Sequence, residues 1–219
     1  MALNNFSQYN ETGKLRKVVI GRCAGYAEDP AYIELVNEDQ KKGLPDKILL
    51  NREFNLLVKT LMDKGVEVKI PEYVGPFVYD QLTPRDIGVT IKDRFVLCNM
   101  VKKSRRYEAA GIFTYLNEMK GKSPAILIPP DNDMLLEGGD IILDENKIFV
   151  GISQRTNDRG LKFMEKHFGE FFEFIPVYCK SIEEGENVLH LDCTFNRIGK
   201  DIALIFPDGF KEIPKAMES

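Results

Sequence analysis

Asp140-Ile-Ile-Leu143, Asp144-Glu-Asn146 and Lys147-Ile-Phe-Val-Gly151 follow one another without interruption: an apolar run, a short polar turn and a second apolar run. β-Branched and aromatic residues on either side of a two- or three-residue polar turn read as a β-hairpin. The plan occurs twice more. Asp86-Ile-Gly-Val-Thr-Ile91, Lys92-Asp93 and Arg94-Phe-Val-Leu-Cys98 form one copy. Asp192-Cys-Thr-Phe-Asn-Arg-Ile198, Gly199-Lys200 and Asp201-Ile-Ala-Leu-Ile-Phe206 form another. Each copy opens on an Asp, and Asp86, Asp140 and Asp192 stand 54 and 52 residues apart. Spacing that regular marks an internal repeat.

Between the hairpins a helix and a further strand are expected. Residues 105–119 place Ala109, Ile112, Phe113 and Leu116 at a helical period, and Ala125-Ile-Leu-Ile128 reads as a strand stopped by Pro129-Pro130. In the next unit, 160–168 reads as a helix and 171–177 as a strand. The first unit fits less fully, with a strand at 15–21, a helix over 52–63 and a strand at 66–70, but no evident hairpin partner. A hairpin–helix–strand unit cannot bury its own apolar faces, so copies must pack around a common centre. A fourth unit starts at Val188 and breaks off at Pro214-Lys-Ala-Met-Glu-Ser219, where its helix is due. The expectation is a single α/β domain over 1–219 with its C-terminal unit missing.

Composition narrows the function. Apolar, aromatic and charged fractions of 43%, 10% and 29% are ordinary for a globular protein. A net charge of −4 leaves no basic footprint, so nucleic acid is not an expected partner. The acidic excess fits cationic ligands and a solvated surface equally well. With no run of about eighteen apolar residues and no signal-peptide pattern, neither a membrane nor export is expected. Cys23, Cys98, Cys179 and Cys193 are far apart and form no C-x-x-C pair, which suits free thiols in a reducing cytoplasm better than disulfides or a zinc site. No cofactor and no metal is expected, and a homodimer is compatible with everything read so far.

The residues at the repeat starts also carry a resemblance. Leu136-Glu-Gly-Gly-Asp140, Gly151-Ile-Ser-Gln-Arg-Thr156 and Leu189-His-Leu-Asp-Cys-Thr-Phe195 resemble the guanidine-modifying enzymes: arginine deiminases, amidinotransferases and dimethylarginine dimethylaminohydrolases. Thr83-Pro-Arg-Asp86, Ser104-Arg-Arg-Tyr-Glu108 and Gly13-Lys-Leu-Arg-Lys-Val18 fit the same pattern, in the same order. The resemblance implies the pentein fold, a propeller-like ring of five ββαβ-type units, of which about three and a half are visible here. It also implies a cysteine nucleophile in the fifth unit, beyond residue 219.

Roles follow from that resemblance. A guanidinium is planar, always charged and edged by N–H donors that match carboxylates. Asp86 and Asp192 are implied as the clamp that holds it. His190 is implied as general acid/base, being able to protonate a leaving amine and later activate water or an acceptor amine. Glu137 is implied as the acid that orients and charges His190, and Gly138 and Gly139 as glycines that let the backbone come close to a ligand. Arg105 and Arg155 match positions that grip a substrate carboxylate.

His167, beside Lys166, reads instead as a surface residue at a helix end. On a continuous strand His190 and Asp192 would face one side, and Leu189, Leu191 and Cys193 the other. Cys193 is therefore expected to be a core thiol turned away from the imidazole. Cys23, Cys98 and Cys179 read as strand or strand-edge thiols. Asp192 after His-Leu, and the absence of a long helical insertion after the first unit, favour a compact arginine deiminase-like or amidinotransferase-like enzyme acting on arginine or a related guanidino compound. The competing reading is a non-catalytic pentein binding module or a pseudoenzyme lacking the last unit.

Overall fold

The three repeated hairpins form, each behind a short 3-10 turn that carries its Asp. The computed structural model describes residues 7–23, 45–76, 78, 80–119 and 126–217. Turn Pro84–Ile87 leads into β3 (Gly88–Ile91) and β4 (Arg94–Leu97), and turn Gly138–Asp140 into β6 (Ile141–Asp144) and β7 (Lys147–Ile152). Turn Leu191–Cys193 leads into β9 (Phe195–Gly199) and β10 (Ile202–Ile205). The Asp residues thus precede the strands that the sequence reading had them begin. All three hairpins are antiparallel, with pairs such as Val89–Val96, Ile142–Phe149 and Asn196–Leu204. Lys92 and Glu145 open the two-residue connections of the first two hairpins in the left-handed region, at φ 53° and 55°, as tight hairpin turns require.

The returning strand of each unit pairs in parallel with the second hairpin strand. β5 (Ile126–Leu127) joins β4, and β8 (Glu173–Tyr178) joins β7. Ala125, which the sequence reading placed in β5, lies outside the described residues. The crossover to β8 is the helix Asp158–Phe168, capped by the Asn157 side chain accepting from the Gly160 amide at 3.0 Å. In the first copy of the repeat β1 (Lys17–Val19) pairs in parallel with β2 (Glu67–Lys69), joined through the helix Lys47–Asp63.

The described residues group into two compact units. One gathers 7–13, 85–101, 118–119 and 126–217, and the other 14–23, 45–76, 78, 80–84 and 102–117. The first unit holds a sheet buried on both faces, and the period-2 alternation of its central hairpin sorts the side chains. Ile141, Leu143, Ile148 and Val150 enter one apolar cluster with Leu136, Leu161, Met164 and Phe168. Ile142 and Phe149 enter a second cluster with Val177, Leu191, Phe195 and Phe210. On the last hairpin Ile198, Ile202 and Leu204 are exposed.

The expected helix over 105–119 is broken. It consists of 3-10 turns at Lys103–Arg105 and Glu108–Ile112, and only Phe113–Met119 is α-helical. Gly111 lies so close to the Glu72 carbonyl that a Cβ there would stand 2.6 Å from it, and its own carbonyl accepts from the Glu72 amide. That tertiary contact overrides the local helical period. No helix of the described residues is long and apolar enough to cross a membrane.

Candidate active site

The turn that carries Asp86, and the residues that precede the other two Asp-bearing turns, bring two acids and an imidazole together inside the compact unit that holds the three hairpins. His190 Nε2 stands 2.8 Å from Glu137 Oε2, and His190 Nδ1 3.7 Å from Asp86 Oδ1. Glu137 has no solvent exposure, and Asp86 and His190 are each 7% exposed. The other Glu137 oxygen accepts from the Val101 amide at 2.9 Å, while the Glu137 amide donates to Thr156 Oγ1 at 3.1 Å. Arg155 Nη1 lies 3.5 Å from Glu137 Oε2, an ion pair rather than a hydrogen bond.

Glycine makes room for this cluster. A Cβ on Gly139 would stand 2.8 Å from His190 Cγ and 3.0 Å from Asp86 Oδ1, so any side chain would displace the imidazole or the carboxylate. Gly138 is as tightly placed, since its Cβ would meet the Arg85 carbonyl at 2.0 Å.

The electrostatics form one coupled set. Burial opposes charge on His190, but the Glu137 hydrogen bond and the charges of Asp86 and Asp140 outweigh it, so its pKa is raised. Burial likewise works against the Glu137 anion. His190, the Val101 amide and Arg155 overcome it and hold the carboxyl below its ordinary value. Both directions describe an imidazolium–carboxylate pair. Asp192 is pushed up by burial, with Arg85 and His190 pulling the other way. The donor atoms of Asp86, Glu137 and His190 lie within 4.8 Å of one another, a set that would also suit a divalent cation.

Asp140, the middle Asp of the repeat, turns out to be the support of this cluster. It is fully buried, its Oδ1 accepts from the Leu191 amide at 2.9 Å, and its Oδ2 accepts from Ser153 Oγ at 2.7 Å. It thereby holds the turn that carries His190 and Asp192. Its place in the repeat was the sequence signal for it, but a carboxylate reading at Asp86 and Asp192 left it aside. Desolvation raises its pKa to about 7.

The sequence matches, over residues 34–217, the family described as N,N dimethylarginine dimethylhydrolase, eukaryotic. The chain belongs to this family. The uncharacterized protein YkgA of Bacillus subtilis (strain 168) is 32% identical over 199 residues, which cover 90% of the chain and 64% of YkgA. Arginine deiminase of Streptococcus uberis is 28% identical over 141 residues, covering 61% of the chain and 34% of the deiminase. Among solved structures, inosamine-phosphate amidinotransferase StrB1 from Streptomyces griseus superposes with a TM-score of 0.78 at 18% identity, covering 97% of the chain and 73% of the amidinotransferase. The fold is accordingly that of the pentein superfamily. The chain spans about two thirds or less of the length of the curated relatives it matches.

Arg105 sits in the second unit, 7% exposed, with Nε and Nη2 donating to the two oxygens of Glu108 at 2.7 and 2.9 Å and Nη2 also to Thr83 Oγ1. Cys193 is exposed, where a core thiol was expected. The reason is that 191–193 is a 3-10 turn, closed by the Cys193 amide donating to the His190 carbonyl, so strand alternation does not apply. Its Sγ lies 3.9 Å from Asp192 Oδ1. Burial leads in raising the pKa of each of the four cysteines, Cys179 to about 12. At Cys98 the charges of Glu137 and Asp86 push in the same direction.

Proposed function

We propose that the chain is the acid/base and substrate-clamping part of an enzyme acting on the guanidinium of arginine or a related compound. The observation that carries this reading is the buried His190–Glu137 pair facing Asp86, with Asp192 on the same turn as His190. Asp86 and Asp192 hold the guanidinium edge through charge-assisted hydrogen bonds, and Gly138 and Gly139, lacking side chains, let the segments that carry Asp86 and His190 close together beside it. Arg155 meets a substrate carboxylate. Its long pairing with Glu137 leaves Nη1 without a hydrogen bond.

The reaction begins when a thiolate adds to the guanidinium carbon. His190, charged by Glu137, gives its proton to the nitrogen that leaves as amine, and a Cys-bound amidino intermediate remains. The thiolate is placed on a cysteine outside these 219 residues, as the resemblance to the guanidine-modifying enzymes implies; burial, which leads in raising the pKa of each of the four cysteines within them, supports that placement. Water then takes the intermediate to a urea, or an acceptor amine takes it to a new guanidine. The family match and the arginine deiminase and amidinotransferase likenesses support the guanidino substrate class.

The test is turnover of L-arginine and of dimethylarginine by the full-length protein. His190→Ala is expected to abolish product, whereas Cys193→Ala, altering an exposed thiol outside the cluster, should leave at least half of the rate. Loss of activity in folded Cys193→Ala protein, with His190→Ala still active, would reverse the assignment.

A further inference from the structure

Arg85 lies beside Asp86 on the turn Pro84–Ile87, yet its guanidinium points to other acids. Its Nε is 3.2 Å from Asp192 Oδ2. Its Nη2 donates to the Ile141 carbonyl at 2.9 Å, and Nη1 and Nη2 face the two oxygens of Glu11 at 3.4 Å each. Glu11 is itself fastened to β6. Its amide donates to the Leu143 carbonyl at 3.2 Å, and the Leu143 amide donates back to Oε1 at 3.3 Å. An unbroken chain of polar contacts therefore runs from β6 through Glu11 and Arg85 to Asp192.

We propose that Arg85 and Glu11 are positioning residues for Asp192, setting its carboxylate for a guanidinium substrate; this rests on the clamp role given to Asp192 above. Arg85 takes Oδ2 from one side, so that Oδ1, which faces the Cys193 thiol at 3.9 Å, is presented at a fixed angle. Glu11 fixes the direction of the Arg85 fork, since a lone arginine with a 40% exposed side chain would otherwise sample several rotamers. Stability is not what this network supplies, because half-exposed pairs at 3.4 Å contribute little.

The sign of the effect separates positioning from plain electrostatics. If Arg85 were only a cation near the site, removing it would relieve repulsion of a cationic substrate and lower KM. If it sets the Asp192 geometry, removing it raises KM.

The experiment is steady-state kinetics of the full-length protein with L-arginine. Arg85→Met is expected to raise KM at least tenfold with kcat within about threefold, and with an unchanged Tm. Arg85→Lys should recover part of the loss, and Glu11→Gln should raise KM in the same direction by a smaller factor. An unchanged or lowered KM in Arg85→Met overturns the proposal, as does a Glu11→Gln protein with wild-type KM. Asp192→Asn separates the two readings. If it leaves KM unchanged, the clamp role itself has failed. If it raises KM while Arg85→Met does not, only the positioning role has failed.

Discussion

His190 Nε2 and Glu137 Oε2 are 2.8 Å apart where neither side chain has appreciable contact with water, and each shifts the other's pKa toward the charged form. Such a pair is costly to desolvate, and it is retained because each ion satisfies the other. It is the part of the site whose chemistry can be tested through stability alone.

Glu137→Gln should therefore destabilise the protein by about 3–5 kcal/mol at pH 5.5, by leaving a buried charge unpaired. Glu137 has a lowered folded pKa, so it stabilises above its ordinary value of 4.5 and loses that contribution as pH falls through the lowered value. His190 has a raised folded pKa, so it stabilises below its ordinary 6.5 and loses that contribution as pH rises through the raised value. The pair contributes most between those two ordinary values. Urea unfolding at pH 5.5 and at a series of higher pH values should show the loss shrinking as pH rises through the raised His190 pKa. Equal losses would mean that the two residues do not carry opposite charges.

Arg105 is predicted to act through the fold. Glu108 is 2% exposed and receives two hydrogen bonds from it, so Arg105→Met removes both of those charge-assisted bonds from a buried carboxylate, at a cost of about 3–5 kcal/mol. Arg105→Met combined with Glu108→Met should recover most of that loss in thermal or urea unfolding, because two apolar side chains replace the pair. A single variant with wild-type stability but a raised KM for L-arginine would instead return Arg105 to the substrate carboxylate.

What the sequence made legible, and what it hid, divides by the range of the deciding contacts. The hairpins were readable because a two-residue alternation and a polar turn are local features, and the Asp spacing then aligned the copies. Residues 189–195 alternate apolar and polar as a strand does, yet they turn. The decision is made by Asp140, fifty-one residues away, accepting from the Leu191 amide, and by the Cys193 amide closing on His190. The helical period over 105–119 was equally genuine and was overruled where Gly111 meets Glu72. Glu137, His190 and Asp86 could be brought together from the motifs, whereas Asp140 is marked only by its place in the repeat and the supports at Ser153, Thr156 and Glu11 leave no mark in local pattern, since a hydrogen bond to a distant group has no periodicity.

Asp140 supplies the last prediction. Its carboxyl is fully buried and titrates near 7 in the folded protein, against 3.8 ordinarily. A raised folded pKa means that the folded state binds more protons than the unfolded state between those values. The Asp140 contribution is therefore complete below pH 3.8 and is lost as pH rises through about 7. Asp140→Asn should remove that slope. Asn can still accept from the Leu191 amide and can donate to Ser153 Oγ, so the turn bearing His190 stays in place. Relative to wild type, the variant should gain about 3–4 kcal/mol on going from pH 4 to pH 8, the linkage equivalent of the shift. Guanidinium unfolding of both proteins at pH 4, 6 and 8 measures it directly. A difference between them that does not change with pH would show that Asp140 stays ionised throughout, and that its hydrogen bonds to Leu191 and Ser153 outweigh its burial.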